Sequence, residues 1–256
     1  FVALVEQADA AWSIRWYDEL CFLDPSVSGS PRRSWIRSSR LPAPAHQAIS
    51  FLRAPMLSLR DKGAIASGMA RFLRGAPASD AESFAAWLKR TGQTERAIRH
   101  FWEPVVVGAL NDTFERCSVK YAGKVFHESF LRSAPAGRLG IPAAPLSEFF
   151  SPIAELARRK GVTIKLKAGI ESIKQASGNR WQVQAGGETY TASSVVLATD
   201  FRQTKSLLAA LNPSTNPEPA LNTDLDKFTV APITTIHLWY DRDIVASPGV
   251  TTGPSI

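Results

Sequence analysis

Along residues 1–155 the apolar positions recur mostly at helical spacing, punctuated by proline-containing loops. Phe1, Leu4, Val5, Ala8 and Trp12 stand three or four apart, which predicts that the chain opens inside an amphipathic helix. Ser79 and Glu82 form an S-x-x-E pattern ahead of Phe84, Trp87 and Leu88, which predicts a capping box, and Gly92 supplies the stop. Thr94 opens the next helix, with Ala97, Ile98, Phe101 and Trp102 on one side, and Pro104 is expected to restart the chain into 105–110. Asn111 and Asp112 break it. Val119, Ala122, Phe126 and Phe130 resume the period, and a further helix runs from about Ser147 through Ile153 and Leu156. Arg158, Arg159 and Lys160 suit the negative end of its dipole, and Gly161 caps it.

After Gly161 the period drops to two. Strands are predicted at 162–166, 170–174 and 180–185, with turns at 176–179 and at Gly186 and Gly187. Tyr190 leads into 194–198, a short apolar run of the kind found in the middle of a sheet. A helix over 201–211, a loop rich in Asn and Pro over 212–222 and a strand over 233–240 complete the pattern. A helical first part followed by strands indicates an α/β protein, α+β within this chain.

The length of 256 residues implies one or two domains and a core that needs no disulfide staples. Hydrophobic content of 45% and charged content of 21% are ordinary for a folded protein. The net charge of +7 is not evenly spread. Residues 25–79 hold nine basic side chains and one acid, Asp61, a net +8, while the remainder is near neutral. Within that segment Leu41, Ile49, Phe51, Leu52, Met56, Leu57 and Leu59 interleave with Arg40, Arg53 and Arg60, and Pro42, Pro44 and Pro55 forbid one continuous helix. Apolar side chains flanked by arginines suit a monotopic membrane surface. A solvated charged face is the alternative, and a nucleic-acid interface, which spreads its charge more widely, fits less well.

Several chemistries lack their residues. Cys21 and Cys117 are isolated, no two of the four histidines have metal-ligand spacing, and no apolar run reaches the roughly 18 residues of a membrane span. G-x-G-x-x-G, the P-loop and G-x-S-x-G are all missing from the chain. Phe1 already lies in helical register and the last residues stop after a strand-like run, so the chain reads as an internal segment of a longer protein. Glu103, beside Phe101 and Trp102, and Asp112, after Asn111, are the two acid–base candidates, because a carboxyl desolvated by aromatic rings can hold a proton. Ordinary helix-end roles for both acids, and core packing for both rings, are the competing readings.

The runs 40–44 (RLPAP), 50–62 (SFLRAPMLSLRDK) and 101–111 (FWEPVVVGALN), together with 129–131 and 235–241, resemble the squalene-associated FAD-dependent desaturases. These are the hydroxysqualene dehydroxylases of bacterial hopanoid synthesis, within the flavin amine oxidase and phytoene desaturase superfamily. The resemblance implies an FAD/NAD(P)-binding-type flavoprotein fold, with 1–155 as a mostly helical substrate and membrane-facing domain. It further implies that 156–212 belong to the FAD-binding domain and that 213–256 return to the substrate-domain sheet. The pair 161–164 and 170–173 is similar to the strands that set a backbone against the flavin's adenine, which would be Ile170. The run 195–199 is similar to the strand ending beside the dinucleotide, which places Ala198 and Thr199 there, although Asp200 replaces the usual proline. The implied reaction is reductive removal of the hydroxyl of hydroxysqualene, a C30 isoprenoid, with Glu103 or Asp112 as proton donor. Phe101, Trp102, Arg40, Phe51, Leu52, Arg53 and Met56 would serve substrate or membrane, at the inner face of the bacterial cytoplasmic membrane. Phytoene or carotenoid desaturation, and a non-catalytic lipid-binding module, are the rival functions.

Overall fold

In the computed structural model, Ser58, Ser83, Thr94 and Asp200 cap the helices they precede, while other helix starts carry no side-chain cap; the structure describes residues 1–24, 32–178, 180–209, 211, 225–242 and 251–252. The chain divides into two units, Phe1–Pro152 with Pro232–Ile256, and Ile153–Ala231.

In the first unit α1 (Val2–Gln7) ends earlier than its spacing predicts, because Asp9 takes a left-handed conformation (φ 55°) and leaves Trp12 exposed outside the helix. Four short strands follow or interrupt the helices where the sequence reading expects none. β1 (Ile14–Tyr17) pairs antiparallel with β4 (Leu139–Pro142). β2 (Glu19–Asp24) pairs antiparallel with β3 (Arg32–Arg37) and parallel with β8 (Thr251–Thr252). In β3 the inward positions are Ser34 and Ile36, and the polar serine hides the alternation that would have signalled a strand.

α2 (Ala48–Arg53) leads to α3 (Leu59–Ala70), which begins with a true capping box: Asp61 N–H donates to Ser58 Oγ at 3.3 Å and Ser58 N–H to Asp61 Oδ2 at 2.8 Å. The expected box at Ser79 and Glu82 is not formed. Ser83 caps α4 (Phe84–Arg90) by accepting from Ala86 N–H at 3.2 Å, while Glu82 forks onto Arg90. Thr94 caps α5 (Glu95–Ala97) as expected. Pro104 does not restart the chain there. A π turn over Ile98–Trp102 carries the helix directly into α6 (Glu103–Leu110), so Pro104 lies inside one continuous helical run, just after the π turn. Asn111, at φ 52°, ends it. α7 (Val119–Phe126) likewise runs into a π turn over His127–Leu131.

The core of this unit is aromatic. Phe72 stacks on Trp87 with centroids 4.9 Å apart, and Trp102 meets Phe126 edge-on at 4.7 Å. Gly123 exists for this packing, since a Cβ there would lie 2.7 Å from the Phe72 ring.

α8 (Leu146–Arg159) leads into the second unit, ending as expected at Gly161 (φ 85°). There β5 (Ile170–Ala176), β6 (Arg180–Ala185) and β7 (Glu188–Ala192) form an antiparallel meander. The turn between β6 and β7 uses Gly186 and Gly187, both at positive φ, which a two-residue hairpin requires. α9 (Phe201–Ala209) follows. The expected strands 162–166, 194–198 and 233–240 join no ladder among the described residues. Within 194–198, Val195 and Leu197 turn toward Trp181 and Leu208, whereas Val196 is 89% exposed. An apolar run becomes a central strand only when neighbours take up its N–H and C=O groups. The expected loop 212–222 lies outside the described residues. No helix among the described residues is long and apolar enough to cross a membrane.

Candidate functional site

Phe51 and Phe101, fifty residues apart in the chain, meet edge-on at 5.9 Å in the wall of an apolar cavity of about 140 Å³ in the first unit. α2 contributes Ala48 and Phe51, α3 contributes Ile65, Ala66 and Met69, and Ile36 comes from β3. The two π turns supply the remaining wall with Phe101, Phe130 and Leu131. Phe101 and Trp102 lie within the first π turn and both are buried, as their place on one side of the expected helix implies. Gln47 is the one polar side chain in the lining. An enclosed apolar cavity near 150 Å³ accepts a benzene-sized guest; this one is open to solvent on one side, and its apolar walls leave room for a single branched five-carbon unit.

Trp102 is not part of that wall. It is fully buried and its indole N–H donates to Gln93 Oε1 at 2.8 Å, while Gln93 donates to Ala64 O at 2.7 Å. Met56 is 1% exposed and belongs to the core, so it cannot enter a membrane. Arg40, Leu52 and Arg53 are exposed.

Neither acid lines the cavity. Glu103 opens α6 half-buried beside Trp102. Asp112 accepts from Thr113 N–H at 2.9 Å and from Arg116 Nε at 2.9 Å. Those partners, the Thr113 N–H foremost, hold its carboxyl below the usual range, so it is ionised at neutral pH. A donor needs the opposite.

His46, which the sequence reading passed over, is fully buried with no hydrogen-bond partner on either ring nitrogen among the described residues. Burial pushes its pKa down and keeps the ring neutral. Its only sequence signal is its place in a proline-rich loop. Cys21 and Cys117 are buried thiols, both pushed up by desolvation. Among the described residues no group of His, Cys, Asp and Glu is arranged to hold a metal ion.

In the second unit Ile170 opens β5 opposite Ala185, where the ladder shifts register, and its side chain is 44% exposed. Ala198 is exposed, and Thr199 Oγ1 lies 2.8 Å from Thr204 Oγ1. Asp200 caps α9, accepting from the N–H groups of Arg202 (2.8 Å) and Gln203 (3.0 Å), which hold its carboxyl below the usual range. An exposed apolar side chain at a strand end fits the flat adenine of a flavin dinucleotide. The α9 N-terminus does not fit its pyrophosphate, because a carboxylate already occupies those donors.

The family described as flavin containing amine oxidoreductase matches residues 26–255. Among solved structures, an oxidoreductase from Methanosarcina mazei is similar with a TM-score of 0.59 at 15% identity, over 87% of this chain and 48% of that one. Wild-type putrescine oxidase bound to putrescine gives 0.51 at 15% identity over 83% and 46%, and its triple mutant gives 0.52 at 14% over 83% and 46%. At these identities the likeness is one of fold, and the chain spans 46–48% of the length of these structures. No curated protein matches. The mixed helix-and-sheet architecture is therefore part of the FAD-dependent oxidoreductase fold, and the chain belongs to the flavin-containing amine oxidoreductase family, with FAD as its cofactor.

Proposed function

We propose that the protein carrying this chain is an FAD-dependent oxidoreductase acting on a long apolar isoprenoid, and that its reaction is the reductive dehydroxylation of hydroxysqualene to squalene. The aromatic cavity between α2, α3 and the two π turns carries this reading. It offers no carboxylate to hold a substrate ammonium, and its size matches one repeat of an isoprenoid chain. The resemblance of 40–44, 50–62 and 101–111 to the hydroxysqualene dehydroxylases supports the choice among isoprenoids.

Reduced FAD, when bound, supplies hydride, and an external reductant must restore it. The chain's own residues hold and align the hydrocarbon, exclude water and provide faces that favour a passing allylic cation, with Phe51, Phe101 and Phe130 as the rings. In the reaction the C–O bond breaks, the oxygen leaves as water after taking a proton, and a C–H bond replaces it. Glu103 does not line the cavity but opens α6 two residues after Phe101, and the scheme assigns the proton to it.

Ala48→Phe tests the cavity. In the flavin-loaded protein it is expected to lower kcat/KM for hydroxysqualene about tenfold or more, with flavin absorbance unchanged. Unchanged kinetics would remove the cavity from the reaction. Glu103→Gln is expected to lower kcat about a hundredfold, and wild-type turnover would dismiss Glu103.

A further inference from the structure

The side chains of β3 alternate, with Ser34 and Ile36 in the core and Arg33, Trp35 and Arg37 on the outer face. Ser50 clamps α2 beside that face: its hydroxyl accepts from Arg37 N–H at 3.0 Å and lies 2.9 Å from Arg37 O. The clamp sets Ile49, Leu52 and Arg53, spaced i, i+3 and i+4, on one exposed side of α2. Between the two elements lies a groove of about 370 Å³ walled by Arg33, Trp35, Arg37, Ile49 and Arg53. Leu52 is 61% exposed next to it.

The charge of this groove is largely unanswered. Arg37 pairs with Glu19 and lies over the Trp35 ring at 5.3 Å, but neither Arg33 nor Arg53 has a carboxylate partner among the described residues. The only acid of the basic segment, Asp61, is buried and spent on Ser58 and Thr94. Arginines in a fork geometry suit phosphate, an indole suits the bilayer interface, and two exposed aliphatic side chains suit the acyl boundary.

We propose that the groove between β3 and α2 is a receptor for the phosphodiester headgroup of an anionic bilayer lipid, with Arg33 and Arg53 on the phosphate and Ile49 and Leu52 entering the acyl boundary. The groove replaces the face expected from sequence, from which Met56 is withdrawn into the core. It stands on charge and geometry alone and does not depend on the substrate.

Sedimentation with vesicles of phosphatidylcholine, with and without phosphatidylglycerol, tests this on the flavin-loaded protein. Binding is expected only with the anionic lipid, falling as salt rises. Each surface arginine contributes about a fivefold factor, so Arg33→Gln with Arg53→Gln should weaken binding about 25-fold. Leu52→Gln should weaken it independently of salt. Melting temperatures of the variants, expected unchanged, separate lost binding from lost fold. Equal binding to neutral vesicles, or no effect of the double variant, overturns the proposal. So does a rise in melting temperature with millimolar inorganic phosphate or glycerol phosphate in protein that does not pellet with anionic vesicles, which would make the groove a soluble-phosphate site. Binding of duplex or single-stranded nucleic acid in place of vesicles overturns it equally.

Discussion

Gly123 has the Phe72 ring where a side chain would be, with Cβ contacts of 2.7 and 2.9 Å. That ring is held between Trp87 and Phe126 and has no free end to swing away. Gly123→Ala is therefore expected to cost about 1–3 kcal/mol in chemical denaturation, and a stability equal to wild type would contradict the packing. His46 makes a pH prediction. Its folded pKa is depressed below the ordinary value of about 6.5, so the unfolded chain binds the proton first. The contribution is complete above that value and is lost as pH falls through the lower folded pKa. Thermal melts from pH 7.5 to 5 should show a loss of stability that His46→Gln reduces, and an identical pH slope would refute the assignment. Glu103, Asp112 and Phe101 were legible as chemical candidates, but their surroundings were not. Asp112 and Arg116 are four apart and announce an ion pair, whereas nothing local tells that Phe101 faces a cavity and Trp102 faces Gln93.

Helix starts were readable where a hydroxyl stands at the cap, as at Thr94, and misread where two serines compete. Ser79 and Ser83 both precede the apolar run, and the nearer one wins because its hydroxyl reaches the N–H of Ala86. Asp61 joins two such starts, accepting from Ser58 N–H at 2.8 Å, Ser58 Oγ at 2.6 Å and Thr94 Oγ1 at 2.6 Å. Burial alone would raise its pKa, but the Ser58 and Thr94 hydroxyls, the Ser58 N–H and the Arg96 charge outweigh that and hold it below the usual range. Asp61→Ala leaves those donors without an acceptor and should cost about 2–3 kcal/mol, measured in urea. A cost under about half a kcal/mol would show that water replaces the carboxylate. The strands tell the complementary story. The β5–β7 meander carries its own partners and its glycine turn, so pattern alone found β5 and β6. The runs 194–198 and 233–240 have strand composition but join no ladder among the described residues, because pairing depends on neighbours that composition does not encode.

At the scale of the whole molecule, one unit holds an aromatic core with an apolar cavity and a basic groove, and the other holds the meander with Ile170 and the α9 cap. The flavin family was legible only through motif resemblance, since composition excludes other chemistries without naming this one. Under the proposed reading, the apolar lining of the cavity favours an uncharged, branched hydrocarbon over an amine. The central claim is tested most directly by giving the flavin-loaded protein, under reducing conditions, hydroxysqualene, phytoene and putrescine separately and analysing the products. The account predicts that hydroxysqualene alone is consumed and that squalene appears. Consumption of phytoene or putrescine with hydroxysqualene untouched would contradict it.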